Sequence, residues 1–149
     1  MISSSDIHVA VGVVVVSDRI LITQRSTDVD QGGFWEFPGG KIEPGESQRQ
    51  GLDRELKEEL GVEVVSASPL VSVYHDYGHI QVLLHTFLIT RISSRPTACE
   101  GQPMRWVSYS ELTEYVFPKA NQPIIQAVQC NFRLSPQDKT VVKATSCGE

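Results

Sequence analysis

The sequence is poor in the features that mark secreted, membrane-spanning or polyanion-binding proteins. Its 149 residues include three cysteines. Cys99, Cys130 and Cys147 are odd in number and widely separated, so they suggest neither a disulfide framework nor a metal-ligand cluster. A reducing cytoplasm is the simplest setting. Long apolar runs are missing: residues 9–16 are too few to span a bilayer and read as a buried strand. The first six residues lack the basic start and apolar stretch of a targeting signal. Positive charge is scarce, with 13 Lys and Arg against 18 Asp and Glu and a net charge of −5. No basic stripe supplies the phosphate contacts that a nucleic-acid polymer needs. A small phosphorylated ligand stays open if a metal ion screens its charge. The four histidines, His8, His75, His79 and His85, have no zinc spacing and read as structural. Cys99 has no histidine base to make it a nucleophile.

What is present is ordinary for a globular chain: 40% apolar and 21% charged residues, enough for one domain with a hydrophobic core over residues 1–149. Valine-rich residues 7–16, a turn at Ser17-Asp18 and residues 19–24 predict a β-hairpin. Residues 27–33 read as a loop, and Pro38-Gly39-Gly40 as a break that continues as loop to Gly45. Leu52, Leu56 and Leu60 recur every four residues, predicting a helix over 46–60 closed by Gly61. Gly51 inside it costs about 1 kcal/mol relative to alanine, which points to close packing. Residues 62–74 and 80–92 predict a long strand pair around a turn at 75–79. A short strand at 105–107, a short helix from Ser108 and a second main helix over 118–132, opened by Asn121 and Pro123, complete the pattern. The polar tail from about residue 135 is expected to fray. The class is α+β, with helices flanking a mixed sheet.

Five glutamates lie between Glu43 and Glu59. At 100° per residue, Glu55, Glu58 and Glu59 fall within an arc of about 100° on one helix face. Such crowding weakens a helix. A hard divalent cation reverses the sign of the effect, because Mg²⁺ takes carboxylate oxygens together with phosphates and water. An isolated E-x-x-E-E stretch is usually a solvated face. The pattern here is longer: Gly40, Glu46, Arg54-Glu55-Leu56, Glu58-Glu59 and Gly61-Val62 at fixed spacing. Its chance occurrence is on the order of 10⁻⁹ per start position. Lys41 and Arg54 can balance the carboxylates, and Gly39-Gly40 can bring backbone close to a ligand.

Residues 40–62 match the Nudix box, G-x5-E-x7-R-E-U-x-E-E-x-G-U with U apolar, at every defined position. The chain therefore resembles the Nudix hydrolases from about residue 9 to 125. Thr23-Gln24-Arg25, residues 35–43, Glu100-Gly101-Gln102-Pro103 and residues 117–123 resemble its MutT-type 8-oxo-dGTP diphosphatases in particular. The resemblance implies a Nudix fold, an α/β/α sandwich around a mixed sheet. It also implies hydrolysis of a nucleoside triphosphate to a monophosphate and pyrophosphate, by water attack at the β-phosphorus. Carried over by position, the Gly39 carbonyl, Glu55, Glu58, Glu59 and Glu100 would hold Mg²⁺, with Mn²⁺ as an alternative. Arg25 would contact the nucleotide, Glu36, Phe37, Pro38 and Gly39 would line the base pocket, and Asn121 would read the purine. Glu55 is the favoured proton acceptor, with Glu58 and Glu100 as alternatives. Arg54 orients a glutamate. Glu46 is either a partner behind the ligands or a charge at the helix start.

One departure stands out: Asp30 replaces a histidine that helps hold phosphate in some resembling enzymes. Residues 28–36 and 46–50 also resemble a sister group acting on CTP and modified pyrimidine nucleotides. The expectation is an Mg²⁺-dependent 8-oxo-dGTP diphosphatase. A pyrimidine triphosphate pyrophosphohydrolase and a non-catalytic Nudix nucleotide-binding module are the rivals. The partner is a small-molecule nucleotide, with no nucleic-acid polymer and no membrane, and the chain is read as a cytoplasmic monomer.

Overall fold

The computed structural model describes residues 6–26 and 32–133. Asp30 and the tail from residue 135 lie outside the described residues. Seven strands form one mixed sheet. β1 (Ile7–Val16) is its centre, and the order β3-β2-β1-β6-β5 runs from β3 (Trp35–Glu36) through β2 (Arg19–Gln24), β1 and β6 (Gln81–Ile92) to β5 (Val64–Asp76). β7 (Met104–Val107) pairs with β2. β1 and β6 are parallel across eight residue pairs, and β5 and β6 form a long antiparallel ribbon. Ser17 and Asp18 both take positive φ, 51° and 64°, the conformation that a two-residue hairpin turn between β1 and β2 demands.

The expected break after Phe37 is in part a strand. β4 (Gly39–Lys41) pairs antiparallel with Val9, Ala10 and Val11 of β1. Glycine has low strand propensity, so composition hides this element. Its reason is steric: a Cβ at Gly39, where φ is +154°, would run into the backbone of Ala10 and Val11.

Period-two alternation sorts the side chains of β1 and β2 onto two faces. Ala10, Val14 and Leu21 pack with Leu52, Leu56 and Leu60 of α1 (Gln48–Leu60). Val11, Val13, Ile20 and Ile22 pack with Ile124, Ile125 and Val128 of α2 (Gln122–Arg133). This is the expected α/β/α sandwich. The three α1 leucines are fully buried, each contributing about 1.5–3 kcal/mol by the area it removes from water.

α1 starts two residues later than expected because Ser47 and Gln50 close a capping box, Gln50 N donating to Ser47 Oγ at 3.0 Å and Ser47 N to Gln50 Oε1 at 2.8 Å. Gly61 ends it in the left-handed conformation. Gly51 packs on Ile42, as the close-packing argument required. The second helix is shorter than expected. Residues 119–121 form a 3-10 turn that Asn121 ends, and α2 begins at Gln122. Cys99 is free. No helix among the described residues is long and apolar enough to cross a membrane.

Candidate active site

The glutamates of α1 meet the glycines of β4. Gly40 lacks a side chain where a Cβ would collide with the Glu55 carboxyl group, so this glycine makes room for that carboxylate. Gly39 N donates to Glu59 Oε1 at 3.3 Å. Arg54 binds the remaining charges together. Its guanidinium donates to Glu46 at 2.7 and 3.0 Å, to Glu55 at 2.8 Å and to the Lys41 carbonyl at 2.8 Å. Glu58 lies farther out, 3.6 Å from the guanidinium and more than half exposed. The Arg54 hydrogen bond holds the Glu46 carboxyl down at about 2. Glu46 precedes the helix, so of its two expected roles the structure supplies the partner of Arg54.

Glu59 is the opposite case. Burial first, and then the Glu55 carboxylate, push it up to about 8. An uncompensated buried carboxylate of this kind is what a nearby cation would relieve. Among the described residues, no three His, Cys, Asp or Glu side chains converge as a ready metal-binding group, and Arg54 occupies two of the helix carboxylates. The donor set nonetheless fits a hard divalent cation: oxygen ligands only, crowded, with one charge unpaired. Glu55, Glu58 and Glu59 are the helix residues that would hold it.

A loop brings Glu100 to the same end of α1. Thr97 N donates to the Leu60 carbonyl at 2.9 Å and Cys99 N to the Glu59 carbonyl at 3.1 Å. The Gln102 side chain then clamps the loop, its Nε2 donating to the Glu59 carbonyl and its Oε1 accepting from Glu100 N, both at 3.0 Å. These carbonyls are the ones a helix C-terminus leaves without internal partners. Gln102 is a site residue that sequence reasoning quoted within a matching segment but gave no role.

Two cavities adjoin here. One, of about 520 Å³, is lined by Thr23, Arg25, Glu36, Glu59, Glu100 and Gln102, among others. The other, of about 380 Å³, is lined by the apolar Val9, Val11, Phe37 and Leu84 together with Gly39, Lys41, Tyr77 and Asn121, among others. Arg25, Glu36 and Glu59 line both. Arg25 Nη1 donates to Glu36 Oε1 at 3.0 Å, and pairing of Thr23 with Glu36 across β2 and β3 fixes that contact. Burial raises the Glu36 carboxyl, outweighing the lowering by Arg25. Phe37 is buried against Phe117, ring centroids 5.2 Å apart. Of the expected site residues, Arg25, Glu36, Phe37, Gly39, Glu59, Glu100 and Asn121 line these cavities. Glu55 lies behind them under Gly40, and Glu58 faces a surface groove with Asp53 and Lys57. Pro38 is buried, and its carbonyl accepts from Gly12 N at 2.8 Å.

The NUDIX domain family model matches residues 10–127. The chain belongs to the Nudix family. It is a Nudix hydrolase of the MutT type. The Escherichia coli K12 CTP pyrophosphohydrolase is 35% identical over 132 residues, covering 89% of this chain and 98% of that protein. The Escherichia coli K12 8-oxo-dGTP diphosphatase is 36% identical over 120 residues, covering 80% and 93%. A solved MutT structure, from work on the Aliivibrio salmonicida and Vibrio cholerae proteins, superposes with a TM-score of 0.75 at 38% identity, covering 85% of this chain and 99% of that one. Nudix hydrolases generally use divalent metal ions, in keeping with the carboxylate set of this Nudix hydrolase.

Proposed function

We propose that the chain is an Mg²⁺-dependent pyrophosphohydrolase that converts 8-oxo-dGTP to 8-oxo-dGMP and pyrophosphate. The carrying observation is the pair of adjoining cavities. One is lined by the carboxylates Glu59 and Glu100; the other adds the apolar side chains of Val9, Val11, Phe37 and Leu84 and the amide of Asn121. A triphosphate seated in the first places its base in the second. A divalent ion held there, Mg²⁺ with Mn²⁺ as an alternative, would supply charge screening for the phosphates and a water of lowered pKa. Gly39, Glu55, Glu58, Glu59 and Glu100 are the residues assigned to hold it.

The chain's own groups do the rest. Arg25 is positioned at the junction of the two cavities to bind the nucleotide, and Glu36 holds its guanidinium in place. Glu55 takes the proton of the attacking water, with Glu58 and Glu100 as alternatives, while Arg54 fixes the Glu55 carboxylate. Asn121 carries both a donor and an acceptor, matching the altered purine edge of 8-oxoguanine, where N7–H and O8 replace a lone acceptor. Pro38 contributes by shaping the segment that presents Phe37 and Gly39. Both cavities are lined by one chain, so a monomer suffices. The cytoplasm, where nucleoside triphosphates are abundant, is the proposed setting, and residues 1–149 act as one Nudix unit.

A second reading has its own support, because the CTP pyrophosphohydrolase aligns over a longer part of this chain. Steady-state kcat/KM for 8-oxo-dGTP, dGTP and CTP with Mg²⁺ separates the two. An advantage of 8-oxo-dGTP over dGTP is expected. Equal values for these two would end the oxidised-purine assignment, and preference for CTP would establish the second reading.

A further inference from the structure

The tip of the β5–β6 ribbon carries an aromatic residue that the reaction does not use. Tyr77 lines the smaller cavity together with residues of β1 and β4, with 42% of its surface exposed. Its turn is restrained at several points. The Asp76 carboxylate accepts from Gly78 N at 2.7 Å and from Gln81 Nε2 at 3.0 Å. Tyr77 N donates to the Ile80 carbonyl at 2.9 Å. Gly78 takes φ +94°, which a side chain would resist. The His75 ring packs edge-on against the Tyr77 ring, centroids 4.4 Å apart at 65°.

A hairpin turn needs only its backbone to close. Here the restraints also fix where an aromatic ring stands, so little side-chain freedom is left to lose when a ligand arrives. The residues sharing the cavity include the apolar Phe37 and Leu84, the amide of Asn121, and the charged Arg25, Glu36, Lys41 and Glu59. An aromatic ring in the same cavity as Phe37, Leu84 and an amide suits a flat heteroaromatic ring: a face to stack on, and a donor–acceptor pair to read its rim.

We propose that Tyr77 is a specificity-determining residue whose ring packs against the base of the nucleotide and favours two-ring bases over one-ring bases. This rests on the nucleotide reading of the same cavities. Calorimetric titration of the full chain with 8-oxo-dGMP, dCMP and pyrophosphate in Mg²⁺ tests it. Tyr77→Ala is expected to weaken 8-oxo-dGMP about 10-fold, the scale of a lost base–aromatic stack, with a smaller loss for dCMP. Pyrophosphate binding stays as in the wild type, and Tyr77→Phe keeps 8-oxo-dGMP affinity within about twofold, because the ring remains. Undiminished 8-oxo-dGMP binding by Tyr77→Ala would overturn the proposal. So would an equal loss for dCMP or pyrophosphate, or a Phe variant as weak as the Ala variant. A wild-type protein that binds neither monophosphate fails at the nucleotide reading itself, and that result is visible before any variant is made.

Discussion

The two adjoining cavities share Arg25, Glu36 and Glu59 and differ in what each adds to them. The larger one adds Glu100, next to a partly buried Glu59 that burial and Glu55 push up to about 8. The smaller one adds apolar side chains of the core, with Phe37 packed on Phe117 and Val11 and Leu84 in the same cluster. Their sources in the chain differ as well. The carboxylates Glu55, Glu58 and Glu59 proposed to hold the metal come from one turn and a half of α1, while Glu36 comes from β3 and Glu100 from a loop. The other side gathers β1, the segment around Phe37, the β5–β6 tip and the 3-10 turn at residues 119–121. On the proposed reading, hydrolytic chemistry is concentrated on one helix, whereas recognition is dispersed. Removing a carboxylate should abolish turnover with little effect on folding, and removing a recognition group should change affinity with little effect on turnover.

The largest expected effect is at Glu55. Glu55→Gln keeps the shape of the side chain and removes the proposed base, so kcat for pyrophosphate release should fall on the order of 10³-fold while the fold is retained. Near-normal turnover would pass the role to Glu58 or Glu100. Gly40→Ala comes next. Its new methyl group meets the Glu55 carboxyl group, and displacing that group should lower kcat about 100-fold, as loss of a positioning contact does. A variant with wild-type kcat would show that Glu55 tolerates displacement. On the other side, Asn121→Ala should weaken 8-oxo-dGMP about 10-fold, the order of one or two lost hydrogen bonds, and leave kcat largely intact. Unchanged affinity would remove Asn121 from the base site. The last effect concerns stability rather than turnover or binding. Because Glu59 rises from 4.5 to about 8 on folding, the folded state holds this proton more tightly than the unfolded chain. Its contribution is complete below about pH 4.5 and is lost as pH rises toward 8. The Tm of metal-free protein should therefore fall between pH 5 and 8, and the slope should flatten in Glu59→Gln. An identical slope in that variant would place the strain elsewhere.

The same contrast explains what could be read from the sequence. The α1 side is local: the leucine stripe, the glutamate spacing and Gly61 all fall within one helix, where a 3.6-residue period converts spacing into geometry. The valine richness of β1 predicted a strand, and it took the packing to show that its two faces serve two helices. The recognition side is not local. Nothing in the sequence places Tyr77 near Asn121 or Gln102 on the Glu59 carbonyl, since those contacts depend on how a ribbon and a loop return to the sheet. The strand at Gly39–Lys41 was hidden because its residues are chosen for their lack of bulk, which composition reads as a turn. Likewise, Asn121 was expected to open α2, whereas it ends the 3-10 turn before it.

The Arg25–Glu36 pair borders both cavities. Divergence of substrate choice therefore has a geography. Exchange at the ribbon tip or at the 3-10 turn rewrites which base is accepted and leaves hydrolysis intact, so lineages can drift there cheaply. A change at the shared wall alters both functions together. Relatives with different nucleotide preferences should accordingly vary at the rim and agree at the partition.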